Sequence, residues 1–175
     1  SGIGNTKLSY LFSSENLKAA EKELEFILKN SIKILYYEHS DYPEKLKHCT
    51  DGPILLFQRG NIQLINRKII SVVGTRKATP HGINFCEQLL EELAPLDPVI
   101  VSGFAYGIDI AAQRAALKHK LQTIGCLAHG LNQMYPGLHQ KYVAEVERNG
   151  GFLTDFWSTD TFDRNNFLKR NSIIS

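Results

Sequence analysis

Apolar positions along this chain follow two rhythms, and the change between them marks its organisation. Across residues 7–30, KLSYLFSSENLKAAEKELEFILKN, apolar side chains recur at Leu17, Ala20, Leu24, Ile27 and Leu28. That spacing predicts one face of a helix, with Ser13 or Ser14 as its N-cap. Two β-rich runs follow, IKILYY at 32–37 and ILLFQRG at 54–60, separated by the polar turn EHSDYPEKLKHCTDGP. From Arg67 onward the pattern becomes regular. RKIISVVG (67–74), PVIVSG (98–103), LQTIGCLAHG (121–130) and GGFLTDF (150–156) are short apolar runs of the kind buried strands show. Between them, 79–96, 107–120 and 138–150 carry helical periodicity. Strands alternating with helices imply right-handed crossovers and a parallel sheet covered on both faces. The expected fold is therefore α/β and Rossmann-like, with a short helical N-terminal element over 1–35 and the sheet domain over 36–175.

Three successive strands run into glycine-bearing turns: VVGTRKATPHG, IVSGFAYGID and CLAHGLNQMYPGLHQK. In open α/β sheets ligands collect outside the carboxyl ends of the strands, where a following helix points unpaired N–H groups and the positive end of its dipole. Glycine lets backbone approach an anion closely. The first turn adds Arg76, whose guanidinium can grip a phosphate through two parallel hydrogen bonds, and the third adds Lys141, a point charge. A phosphate-bearing ligand is expected at that edge, against the ordinary alternative that both are solvated surface cations. Asp109, at the start of a helix, is better explained by the dipole than by catalysis.

Several chemistries lose support. No segment matches G-x-G-x-x-G, G-x-x-x-x-G-K-[ST] or G-x-S-x-G, and the six histidines include no H-E-x-x-H. Neither a cofactor, a metal nor a catalytic residue is expected. The three cysteines, Cys49, Cys86 and Cys126, form no C-x-x-C pair and read as reduced core thiols. A formal net charge of +2 and a pI near 8.4 permit nucleic-acid binding without requiring it. No apolar run approaches a membrane span and SGIGNTKLSY is not a secretory signal, so a cytoplasmic setting is the default expectation. The tail FDRNNFLKRNSIIS places Arg164, Lys169 and Arg170 among Phe162 and Phe167. Cations interleaved with aromatics suit a nucleic-acid backbone and its bases, although an amphipathic segment with its phenylalanines in the core is the ordinary alternative.

Taken in order, YP at 42–43, DGPILLFQRG, IISVVGTRKATPHG, IVSGFAYGID, LAHGLNQMYP and FLKRN resemble the motifs of the DNA-processing protein A family, also called DprA or Smf. The resemblance covers roughly residues 36–175. It implies an extended Rossmann-like domain that binds single-stranded DNA, protects incoming strands in natural transformation and helps load the RecA recombinase. It also implies a homodimer with no known enzymatic activity. Position by position, Arg76 matches the family arginine that contacts DNA phosphate, and Gly74 and Thr75 precede it in the same motif. Lys141 falls where the family has a basic DNA-contacting residue. Ser102, Gly103 and Gly107 match the second turn, Gly130 the third, and Arg170 and Asn171 begin the arginine-asparagine motif. The chain departs from the family at Tyr106 and Gln113, where arginine and histidine are common, and at His139, where asparagine is. It also reads RNSIIS in place of RNRII, and the C-terminal part of the family fold is expected to be missing. Two alternatives stand beside this one. A nucleotide-binding or nucleoside-monophosphate-hydrolysing enzyme would share the fold but normally carries P-G-G-x-G-T-x-x-E, which is not found here. A protein-interaction scaffold would make DNA contact secondary.

Overall fold

A computed structural model describes residues 12–161 and 163–174 of the chain, so residues 7–11 of the expected first helix and Phe162 of the tail lie outside the described residues. The chain divides into two compact units, one ending at Ile32 and the other beginning at Lys33. In the first, helix α1 spans Ser14–Lys29. Ser13 is its cap, with its hydroxyl accepting the Asn16 N–H at 3.3 Å. Of the expected apolar stripe, Ile27 is buried, while Leu17, Leu24 and Leu28 are exposed.

The second unit is a six-stranded sheet in the order β1-β2-β6-β5-β4-β3. Its strands are β1 (Lys33–Tyr36), β2 (Leu55–Gly60), β3 (Ile69–Ser71), β4 (Val99–Ser102), β5 (Thr123–Cys126) and β6 (Gly150–Thr154). The four regular strands β3 to β6 pair in parallel, with registers such as Ile70 opposite Ile100 and Val101 opposite Ile124. The sheet as a whole is mixed, which corrects the expectation of a parallel one. β1 pairs antiparallel with β2, and β2 antiparallel with β6. The reason lies in the 37–54 connection, which holds only a one-turn helix, α2 (Glu44–Lys47), where a parallel return would need a full crossover.

Helices α3 (Pro80–Leu93), α4 (Ile108–Lys118) and α5 (Gln140–Arg148) fill the connections between the parallel strands. Thr79 caps α3, accepting the Gly82 N–H at 3.2 Å, and Pro80 opens its first turn. A last helix, α6 (Asn166–Ile174), takes up the tail. Alternation along β4 divides the core. Ile100 faces Cys86, Leu90, Ala112 and Ala116 of α3 and α4, whereas Val99 and Val101 face Leu56, Ile124, Leu153 and Ile173. Placing Ile173 and Ile174 in that second cluster anchors α6 against the sheet, and the Ser71 hydroxyl donates to the Ile174 carbonyl. Cys86 and Cys126 are buried thiols, as expected, and Cys49 is half-buried.

Leu90 is fully buried between α3 and the sheet, so Leu90→Ala should cost about 2–5 kcal/mol of stability. The exposed Leu168→Ala should stay within about 0.5 kcal/mol of the wild type. Urea unfolding of both variants measures the difference, and equal midpoints would contradict this packing.

Candidate nucleic-acid interface

The four parallel strands all point the same way, so the turns that leave β3, β4, β5 and β6 lie along one edge. Neighbouring turns are joined directly. The Ile108 N–H, at the start of α4, donates to the Thr75 carbonyl of the first turn at 3.2 Å. Gly107 adopts φ +79°, and a Cβ there would lie 2.7 Å from the Arg76 carbonyl carbon. Glycine is required by both geometry and contact. Phe104 holds a left-handed conformation (φ 55°) without being glycine. Burial supports it: its ring packs edge-on against Phe152 and His139, and its carbonyl accepts the His139 Nδ1–H at 2.9 Å.

Behind these turns sit two buried charged groups. The Asp109 carboxylate lies beside the backbone N–H groups of Gly74, Ala105 and Gly103, which favour its charged form. The Arg170 guanidinium donates from Nη1 to the carbonyls of Gly103 at 2.8 Å and Cys126 at 2.7 Å, and from Nε to the Asn171 side chain at 3.3 Å. Burial pushes the Asp109 carboxyl above the usual range, against the opposing pull of Arg170 and the three amides. The same burial pulls the Arg170 guanidinium down, opposed by Asp109 and aggravated by Arg76. Both groups flank Gly103. A Cβ there would overlap the guanidinium and the carboxylate, with Arg170 Cζ 2.7 Å away.

On the surface of the same edge, cations lie over aromatic rings. Arg76 stacks on Phe167 at 4.5 Å, and Phe167 also lies 5.8 Å from the Arg170 guanidinium. Lys141 and Arg114 both approach the Tyr142 ring, at 5.1 and 5.7 Å. Tyr106 and His139 meet edge-on at 5.2 Å. Among the described residues, carboxylate ion pairs such as Arg59–Glu147 and Arg67–Asp97 lie elsewhere. A cation held by a ring keeps its N–H donors available to an incoming anion, which one held by a carboxylate does not.

The expected site residues separate into two layers. Gly74, Thr75, Arg76, Lys141 and Asn171 are exposed, and Gly107 is half-buried between the first two turns. Ser102, Gly103, Gly130 and Arg170 are buried. Ser102 donates its hydroxyl to the Val72 carbonyl at 2.6 Å, and the Gly130 carbonyl accepts the His129 Nδ1–H at 2.9 Å. The turn after β4 was expected to offer free amides to a phosphate. In the structure, the amides of Gly74, Gly103 and Ala105 face Asp109, and those of Ile108 and Ile110 are taken by the Thr75 and Ala105 carbonyls. The pattern of residues did not bring out Arg114 and Tyr142, because they meet only through the packing of α4 and α5. The pairing of Lys141 with Tyr142 in adjacent positions was the available signal.

Comparison with known proteins places this edge in context. The family model for DNA recombination-mediator protein A matches residues 33–175. Protein Smf of Borreliella burgdorferi is 30% identical over 166 residues, which are 94% of this chain and 53% of that protein. DNA processing protein A from Streptococcus pneumoniae superposes with a TM-score of 0.76 at 28% identity, covering 98% of this chain and 54% of that one. DNA processing protein A from Helicobacter pylori, described for its single-stranded DNA binding mode, superposes with a TM-score of 0.71 at 30% identity over 82% of this chain and 64% of that one. The chain thus spans about half the length of the curated relatives it matches.

His129 gives the edge a dependence on pH. Its Nδ1–H donates to Gly130 and its Nε2 accepts the Tyr135 N–H at 3.2 Å, an arrangement only the neutral ring supports. Burial lowers its affinity for protons below that of an ordinary histidine. The unfolded chain, titrating near the ordinary histidine value of 6.5, therefore binds more protons than the folded one just below that pH. Stability is complete above that value and falls as pH drops toward the depressed folded-state value. His139, lowered by burial and by Lys141, acts in the same direction. Thermal midpoints between about pH 7.5 and 5 should fall more for the wild type than for His129→Gln. Parallel curves would show that His129 does not contribute.

Proposed function

The chain belongs to the DNA recombination-mediator protein A family, and from that premise we propose that it binds single-stranded DNA along the carboxyl edge of its sheet. The observation that carries the proposal is Arg76 on the exposed first turn, stacked on Phe167 at 4.5 Å, with Arg114 and Lys141 on Tyr142 along the same edge. Three exposed cations suit phosphates, and the tyrosine and phenylalanine rings beside them suit bases. Affinity of this kind is tolerant of sequence, because phosphate contacts position a strand without reading it. In the same proposal the protein serves DNA processing in transformation and recombination within the cytoplasm. Loading of RecA onto the bound strand and assembly into a homodimer complete that proposal for the longer protein.

In this reading the strand touches the outer layer of expected residues, Gly74, Thr75, Arg76, Lys141 and Asn171, with Gly107 between the turns. Ser102, Gly103, Gly130 and Arg170 lie behind it. Arg170 lies near enough to Arg76 for that neighbouring charge to add to the pull of burial on its own guanidinium. An anion beside Arg76 is attracted by both.

Fluorescence anisotropy of a labelled single-stranded oligonucleotide across a salt series, with duplex as competitor, tests this. The wild type should prefer the single strand and weaken as salt rises. Arg76→Ala should weaken binding by about 10- to 100-fold on every strand sequence, the loss expected for one charge-assisted contact. It should also flatten the slope of log K against log salt by about 0.7, the value of one phosphate on a single strand. Binding that Arg76→Ala leaves intact would sink the assignment.

A further inference from the structure

Asp109 and Arg170 are placed where neither a strand nor solvent reaches them readily: each is 5% exposed. Their surroundings nevertheless span three of the four strand ends along the edge. Asp109 gathers the amides of Gly74 from the first turn and of Gly103 and Ala105 from the second. Arg170, entering from α6, takes the carbonyls of Gly103 from the second turn and Cys126 from the end of β5. Gly103 is the shared element, with its carbonyl held by the guanidinium and its Cα flanked by the carboxylate, whose Oδ2 a Cβ there would overlap. Three strand ends and one helix thus meet on two side chains. Withdrawing a charge from water is costly, and hydrogen bonds to the charged group offset that cost. Two carbonyl bonds meet part of that cost for Arg170, and the nearby carboxylate adds to them by favouring the charged guanidinium.

We propose that Asp109 and Arg170 are positioning residues for strand binding: they lock the three turns and α6 into the arrangement that presents Arg76, Phe167 and Lys141, and neither touches the nucleic acid. The inference rests on the DNA-binding function proposed above. It assigns the motif residue Arg170 to the interior, and it gives the glycine at 103 a reason other than approach by a phosphate: the space its side chain would need holds the pair. It also links two regions far apart in the chain. α6 carries Phe167, the ring under Arg76, one turn before Arg170, so the guanidinium that fixes the turns fixes the helix that orients the exposed cation.

The salt dependence of binding separates positioning from contact. Anisotropy with a labelled oligo-thymidylate, across salt, is measured for the wild type, Arg76→Ala, Arg170→Gln, Arg170→Lys and Asp109→Asn, each first checked for a cooperative melt. Backbone amide exchange at Gly74, Gly103 and Ala105 is followed in parallel by NMR. Arg170→Gln and Asp109→Asn are expected to bind on the order of tenfold more weakly with the wild-type salt slope, and to speed exchange at those amides. Arg170→Lys, which keeps the charge but cannot span both carbonyls in the same way, should recover only part of the affinity. A slope flattened by Arg170→Gln as much as by Arg76→Ala would mean that Arg170 meets phosphate, and would overturn the inference while leaving the DNA-binding function standing. Wild-type affinity in both Arg170→Gln and Asp109→Asn would overturn it equally. Should Arg170→Gln fail to fold, Asp109→Asn carries the same slope and exchange measurements. Should the wild type itself not bind, the DNA-binding function fails, and unchanged amide exchange in Asp109→Asn would then overturn the locking of the turns as well.

Discussion

A guanidinium withdrawn from water must be met on every side, and the way Arg170 is met constrains most of what surrounds it. Its carbonyl partners belong to the ends of β4 and β5, which must stop in register for both to be in reach. Its helix must enter above those ends, and Ile173 and Ile174 on the next turn hold it there by packing on the sheet. The carboxylate that balances it comes from the first turn of α4, which fixes where that helix begins. Residue 103 must then be glycine, because both charged groups occupy the space beside it. Apolar burial provides the bulk of the stability in this unit, but burial alone is non-directional and would leave the turns free to settle in several arrangements. The directional bonds around Gly103 select one.

Two electrostatic layers result. In the inner one, donors and acceptors are matched within the protein, and burial shifts both Asp109 and Arg170 toward their neutral forms without leaving them unpartnered. In the outer one, cations rest on rings. A cation–π contact at the surface is worth about 0.5–1 kcal/mol, enough to orient a side chain and too little to compete with a phosphate. Carboxylate partners would have oriented Arg76 and Lys141 as well, at the cost of the charge that a phosphate would meet.

How far this could be read in the sequence depends on what each residue type does by default. The strands from β3 to β6 were legible because a run such as PVIVSG has no favourable place but a buried strand. The glycine turns at one edge were legible for the same reason, and so was Arg76 on the first of them. The antiparallel pairing of β1 and β2 was not, since two short strands joined through a polar turn fix neither direction nor neighbour. Arg170 was read as a contact residue from the arginine-asparagine motif and from the cations set among aromatics in the tail, and only the tertiary structure supplies the two carbonyls and the carboxylate that draw it inside. Gly103 shows a related ambiguity. Room left by a missing side chain looks alike in sequence whether a ligand or a neighbouring residue fills it.

The Phe167 ring brings the two layers together. Its centroid is 4.5 Å from the guanidinium of Arg76 and 5.8 Å from that of Arg170, so two like charges share one aromatic side chain. The ring attracts each of them, yet their mutual repulsion remains, and it is felt by Arg170 as a pull toward the neutral form. That repulsion is a standing cost of the unliganded edge. An anion bound at Arg76 offsets it, and does so more strongly than at an isolated surface arginine because part of the field passes through protein rather than water. In the proposed strand binding, the affinity of the edge for phosphate would therefore have a contribution from a residue that never leaves the interior. If a strand binds as proposed, the same relief would stabilise α6 in its docked position, and occupation of the edge and docking of α6 would favour one another by linkage.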